Sequence, residues 1–147
     1  MKASGWKREF ETGIPVIDHQ HRRLMEGLEG CIRALSHGAA KGVVLALAHD
    51  IQAHAIDHFR DEEDLMKRSG YPDFEAHRAR HAELTSVVAD LSNDFESGRL
   101  AVPIQVVRTF AHWMEEHLLG DDQHAAAWIR AHMAPDRWSD HPSAEED

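Results

Sequence analysis

Five histidines and two acids stand at spacings that suit metal ligation: His21, then His58 with Glu62, then His77 with His81, then His117 with Asp122. Imidazole nitrogens mixed with carboxylate oxygens suit iron or manganese as well as zinc, and no thiolate joins them. Two of the pairs are four residues apart, which on a helix puts both donors on one side, one turn apart. Each of the four segments is long enough to be a helix, so the donors can converge from separate rods on one core. Seven donors are too many for a single tetrahedral zinc. If Glu62 and Asp122 each bridge two octahedral ions, and one solvent oxygen bridges as well, about eleven of twelve coordination positions are filled. The remaining position, in an apolar pocket, suits a small diatomic molecule.

Each motif is weak alone. With 13 histidines in the chain, about one His-x-x-x-His pair is expected by chance. His58 with Glu62 is also what an exposed charged helix carries, and His117 with Asp122 could be a helix-end histidine followed by a cap. Phase strengthens the metal reading. His77 and His81 continue the apolar stripe Phe74, Leu84, Val88, Leu91 and Phe95, and His117 continues Val106, Phe110 and Trp113. A buried imidazole must find a hydrogen-bond partner or a metal. Glu62 is favoured over Glu63 because four residues advance a helix by about 40° and five by about 140°. Asp121 remains a rival to Asp122. His19, His37, His49, His112, His124, His132 and His141 lie off the stripes and are expected in solvent. His54, one turn before His58, reads first as a packed, hydrogen-bonded imidazole and second as a spare ligand or an outer donor. Cys31 reads as a small apolar filler, and Met25, Met66, Met114, Trp6 and Trp113 as core or pocket lining.

The elements that must position these side chains follow from caps and breakers. Residues 1–17, with Gly13 and Pro15, predict an extended arm. Asp18 then caps a helix to about Ser36, with Gly38 just beyond. A second helix spans about 41–68 and stops at Gly70 before Tyr71-Pro72. Asp73 caps a third, which reaches about Glu96 and is closed by Ser97-Gly98. A fourth starts near Pro103 and ends at Leu119 before Gly120. A short terminal helix covers about 125–133, and the tail from Pro135 is expected to fray. The expectation is all-α: an up-down-up-down antiparallel four-helix bundle over about 18–120, with an N-terminal arm and a terminal segment, 121–147, carrying a short helix. One domain accounts for 1–147.

A net charge of -10, from 26 acidic against 16 basic residues, disfavours nucleic-acid and anionic-membrane partners. No apolar run has the length of a membrane span, and the first ten residues lack a secretory apolar core, so a cytoplasmic protein is the expectation.

The chain resembles the bacterial hemerythrins from Trp6 to about Asp122. The likeness is carried by Trp6, Phe10, Gly13-Ile14 and the run Ile17-Asp18-His19-Gln20-His21-Arg22-Arg23-Leu24, and by His58-Phe59-Arg60-Asp61-Glu62-Glu63-Asp64-Leu65-Met66. Tyr71-Pro72, His77 with His81, and Trp113 with His117 and Asp122 complete it. The resemblance implies reversible O2 binding at two non-haem iron ions with an oxo or hydroxo bridge. One iron would be held by His77, His81 and His117 and the other by His21 and His58, with Glu62 and Asp122 bridging. The pocket at the open iron would include Leu24, Leu28, Phe59, Trp113 and Leu118. His54 and Ala125 depart from the family, which often has Tyr at both places. The same centre would serve a peroxidase or NO-reducing enzyme with His54 as acid–base group, and iron handling is a third reading. The sequence names no protein partner.

Overall fold

The computed structural model describes residues 6–97 and 104–138, without the side chains of Leu91, Asp94 and residues 104–106. The expectations placed on residues 1–5, Gly98, Pro103, His141 and the end of the tail, and on Leu91 and Val106, lie outside the described residues. Five helices follow in order: α1 (Pro15–Ser36), α2 (Lys41–Ser69), α3 (Phe74–Glu96), α4 (Ile104–Leu119) and α5 (Asp121–His132). Single 3-10 turns flank them at Arg8–Phe10 and Pro135–Arg137. Among the described residues there is no strand, and no helix is long and apolar enough to cross a membrane. The first four helices form the antiparallel bundle, and α5 packs against α2 and α4 at one end.

Three local findings differ from the sequence expectations. The arm is not free: Phe10 and Ile14 are fully buried, and α1 begins at Pro15 rather than beside Asp18. Proline fits the first helical position because the N–H it lacks would have no partner inside the helix. Asp18 sits one turn into α1 and reaches back, its carboxylate accepting from the Thr12 and Gly13 N–H groups and the Thr12 hydroxyl at 2.8–3.2 Å. It therefore fixes the entry of the chain without being the cap. The terminal helix also starts earlier than expected, directly after Gly120, so Asp122 belongs to the first turn of α5.

The end of α2 follows its sequence signal. Gly70 adopts φ 71°, a left-handed conformation that glycine enters without a side-chain penalty. The Gly70 and Tyr71 N–H groups close back on the Lys67 and Met66 carbonyls at 3.2 and 2.9 Å, satisfying the helix's last acceptors.

The core divides into two apolar clusters. One contains Leu24, Leu28, Cys31, Ile51, Phe110 and Met114; the other contains Ile14, Ile17, Leu65, Met66, Ala125 and Ile129. Along α1, His21 lies between Ile17 of the second and Leu24 of the first; along α2, His58 and Glu62 lie between Ile51 and Leu65. The polar donors thus occupy a level between two greasy ones. The bundle's inner seam is tight beside them: a Cβ added at Gly27 would stand 2.9 Å from Ile51 Cγ1, whereas one at Gly30 would meet nothing nearer than 4.0 Å.

This contrast gives opposite expectations for two glycines on one helix. Gly30→Ala should raise stability by about 0.5–1 kcal/mol by removing glycine's backbone entropy cost. Gly27→Ala should lower it by about 1–2 kcal/mol, because overpacking outweighs that gain. Urea unfolding midpoints of both variants against the parent check the pair.

Candidate metal centre

The seven side chains singled out by the sequence meet. Glu62, His77, His81, His117 and Asp122 offer ligand atoms that all lie within 4.8 Å of one another, and so do His21, His58, Glu62 and Asp122. The two carboxylates belong to both groups. Asp122 shows the sharing directly: Oδ1 stands 3.0 Å from His77 Nε2 and 3.1 Å from His117 Nε2, while Oδ2 stands 3.1 Å from His21 Nε2. Glu62 Oε1 lies 3.2 Å from His77 Nε2 and 3.0 Å from His81 Nε2, with Oε2 3.9 Å from His21 Nε2. All seven residues are buried.

All but the 3.9 Å separation are short enough for hydrogen bonds, yet the atoms are not aligned to make them. His21 Nε2, His58 Nε2, His77 Nε2, Glu62 Oε1 and both Asp122 oxygens are buried with no hydrogen-bond partner. A native interior leaves few such atoms, and each costs free energy. Here they cluster and aim inward at common points. Buried donors of this chemistry, at this density, fit metal ions.

The ring nitrogens that face outward are tethered. His81 Nδ1–H donates to Glu63 Oε2 at 2.8 Å, His117 Nδ1–H to Asp121 Oδ2 at 3.1 Å, and His58 Nδ1–H to Gln20 Oε1 at 2.8 Å. Each tether holds a proton on Nδ1, so that Nε2 is the nitrogen left to present a lone pair inward once any proton on it is displaced. Glu63 and Asp121, weighed in the sequence as rival ligands, are these outer partners. Gln20 stood there only within the run before His21 and was given no role; the available signal was its place immediately before His21, on the flank of the inward face.

Electrostatics points the same way. Burial and the Asp122 charge push Glu62 up, but the His77, His81 and His58 imidazoles outweigh them and hold its carboxyl below the usual range. Burial likewise opposes ionisation of Asp122, and His117, His21 and His77 overcome it. Burial lowers His77, yet its contacts with Asp122 and Glu62 raise it to about 10. His81 and His117 are raised for the same reason against the same opposition. His58 goes the other way, to about 3, through burial and then the neighbouring His21. Two fixed anions demand positive charge; protons on the three-histidine side supply it when no cation does.

One pocket assignment needs correction. Trp113 is 44% exposed and lines an outer groove with Arg80, Glu83 and Glu116. The buried face of α4 runs through Val107, Phe110, Met114 and Leu118. His117 lies roughly 60° to one side of Met114 and Trp113 roughly 100°, so a stripe drawn through Trp113 is off phase. His54 is not in the cluster either: its Nε2 accepts from Arg23 Nη2 at 2.9 Å and lies 3.6 Å from Asp50. That is the hydrogen-bonded imidazole of the first expectation, and it gives no acid–base group at the centre. Leu24, Leu28, Phe59 and Leu118 are buried as expected, and Phe59 stacks on the His81 ring at 4.0 Å. The remaining described histidines expected in solvent are exposed.

Comparison with known proteins agrees with this geometry. The family model described as the hemerythrin HHE cation binding domain matches residues 12–129. A bacteriohemerythrin of Stenotrophomonas maltophilia is 30% identical over 87% of this chain and 82% of its own length. One of Methylococcus capsulatus is 31% identical over 75% and 83%. A solved wild-type hemerythrin superposes with a TM-score of 0.80 at 26% identity, covering 84% of this chain and 95% of its own.

Loading the centre should therefore expel protons. With His77 raised to about 10, its protonated form contributes stability to the metal-free fold below about pH 6.5, its unfolded value, and loses it as pH climbs through 10. A cation must displace that proton throughout the neutral range. Between pH 8 and pH 6 the apparent affinity for Zn(II) or Fe(II) should fall about tenfold per unit for each proton displaced. Titrations in lightly buffered dye, counting protons released per ion, check this; no release would contradict the assigned protonation.

Proposed function

The chain belongs to the hemerythrin family, and on that premise we propose that it binds O2 reversibly at a non-haem di-iron centre. The observation that carries this reading is the pair of overlapping donor groups sharing Glu62 and Asp122. His77, His81 and His117 with the two carboxylates would hold one iron, and His21 and His58 with the same carboxylates the other, with an oxo or hydroxo bridge from solvent between them. Bound ferrous iron supplies reversible electron donation to O2. The second group offers one donor fewer than the first, so an ion held there would have room for the diatomic ligand.

The chain's own residues make that position usable. Glu62 and Asp122 hold two cations side by side by spreading two negative charges between them. Gln20, Glu63 and Asp121 keep ring protons on the outer nitrogens, so the inner ones remain free to ligate. Leu24 and Phe59 belong to the apolar wall, which continues through Leu28, Met114 and Phe110 on one side. Leu118, 1% exposed, closes the core from α4. An apolar enclosure of this kind excludes water, whose entry would promote loss of the ligand as superoxide and leave the iron oxidised. Carrier, store and sensor all use this same act of binding.

Iron analysis should give two Fe per chain, and the anaerobically reduced protein should gain a visible absorption band with O2 that vanishes on deoxygenation over repeated cycles. Absence of a reversible change would overturn the proposal. Leu118→Asn should accelerate autoxidation of the oxygenated protein several-fold, followed as decay of that band; an unchanged rate removes Leu118 from the protective wall.

A further inference from the structure

The outer nitrogens of the ligand imidazoles are not all held in the same way. His81 and His117 donate directly to the carboxylates of Glu63 and Asp121. His58 donates instead to a neutral amide, with its Nδ1 2.8 Å from Gln20 Oε1. The far end of that amide, Gln20 Nε2, donates to Asp61 Oδ2 at 2.8 Å. Asp61 is 2% exposed.

The direction of this chain is set at its buried end. An ionised carboxylate only accepts, while an amide has one donating end and one accepting end. Asp61 must therefore draw the NH2 of Gln20 toward itself, which turns the carbonyl to His58. A carbonyl only accepts, so His58 must carry its proton on Nδ1 and leave Nε2 bare. Resting on the two-iron reading above, we propose that Asp61 and Gln20 are positioning residues that set the tautomer and ring orientation of His58. The four-donor group needs this most. It has two imidazoles, and the other, His21, has a buried Nδ1 with no hydrogen-bond partner, so His58 is its tethered ring. Gln20 and Asp61 each neighbour a ligand in sequence, His21 and Glu62, so the same relay ties α1 to α2 at the level of the site.

The test uses the full-length chain, 15N-labelled and metal-free, with long-range 1H–15N correlations to read each imidazole tautomer, followed by Co(II) titration. The parent should show His58 as the Nδ1–H form and take up two ions. Asp61→Asn removes the instruction: Gln20 can turn over, an Nε2–H population should appear at His58, and one of the two ions should bind about tenfold or more weakly. The double variant Gln20→Glu/Asp61→Asn again sets an obligate acceptor against His58 Nδ1–H, with the bond between positions 20 and 61 reversed (the new amide donates to the new carboxylate) and the charge moved one place inward. It should recover both the tautomer and the second ion, which a merely structural role would not do. If His58 keeps its Nδ1–H form in Asp61→Asn, or if the double variant is no better than the single one, the proposal is wrong. Should Asp61→Asn fail to fold, Gln20→Leu at the half-buried position decides, and an unchanged tautomer there overturns the relay. A parent that takes only one ion would sink the two-iron reading, while the tautomer measurement would still judge Asp61 and Gln20.

Discussion

Two carboxylates sealed in a protein interior must be met by positive charge, and most of this bundle follows from that demand. Glu62 and Asp122 are 2% and 1% exposed, and an uncompensated buried anion costs several kcal/mol. Each is faced by histidines. Imidazole is the one common side chain that can answer an anion with a proton or, after giving that proton up, with a metal ion. The same cluster can therefore be balanced by protons when empty and by cations when filled.

Position matters as much as charge. The donors lie in a thin polar layer with an apolar cluster on either side, and close-packed apolar side chains resist rearrangement. Glu62, His77, His81 and Asp122 come from three helices, yet their ligand atoms are confined to a few ångströms. Phe59 adds a rigid plate: its ring lies within 10° of parallel to that of His81. Ligands held by packing and outer hydrogen bonds need little reorganisation when an ion enters, which is where a preformed site gains affinity.

Much of this was legible in the chain. The inward phase of His77 and His81, the ligand step from His58 to Glu62, and the stops at Gly70 and Gly120 are strong local signals, because helical periodicity and glycine geometry act over a few residues. What local pattern could not resolve was tertiary. Phe110 and His117 fit two neighbouring stripes on α4, and only packing against α1 shows that Met114 and Leu118, not Trp113, face inward. Asp18 carries a capping residue's chemistry but spends it on Thr12 and Gly13, whose nearness depends on how the opening segment folds back. The roles of Glu63 and Asp121 as outer partners rather than ligands turn on side-chain reach across helices, which spacing along one helix does not encode.

The last donor enters from α5, and α5 also clasps the start of the chain. Gln123 Nε2 donates to the carbonyls of Glu9, Phe10 and Glu11 at 3.2–3.3 Å, and the Arg130 guanidinium donates to the Thr12 carbonyl. These contacts close loops of 112 to 118 residues, whose entropy must be met before they return anything. During synthesis the five histidines and Glu62 all precede Asp122. Because one helix both supplies Asp122 and clasps residues 9–12, completion of the donor cluster and closure of the opening segment onto α5 are coupled.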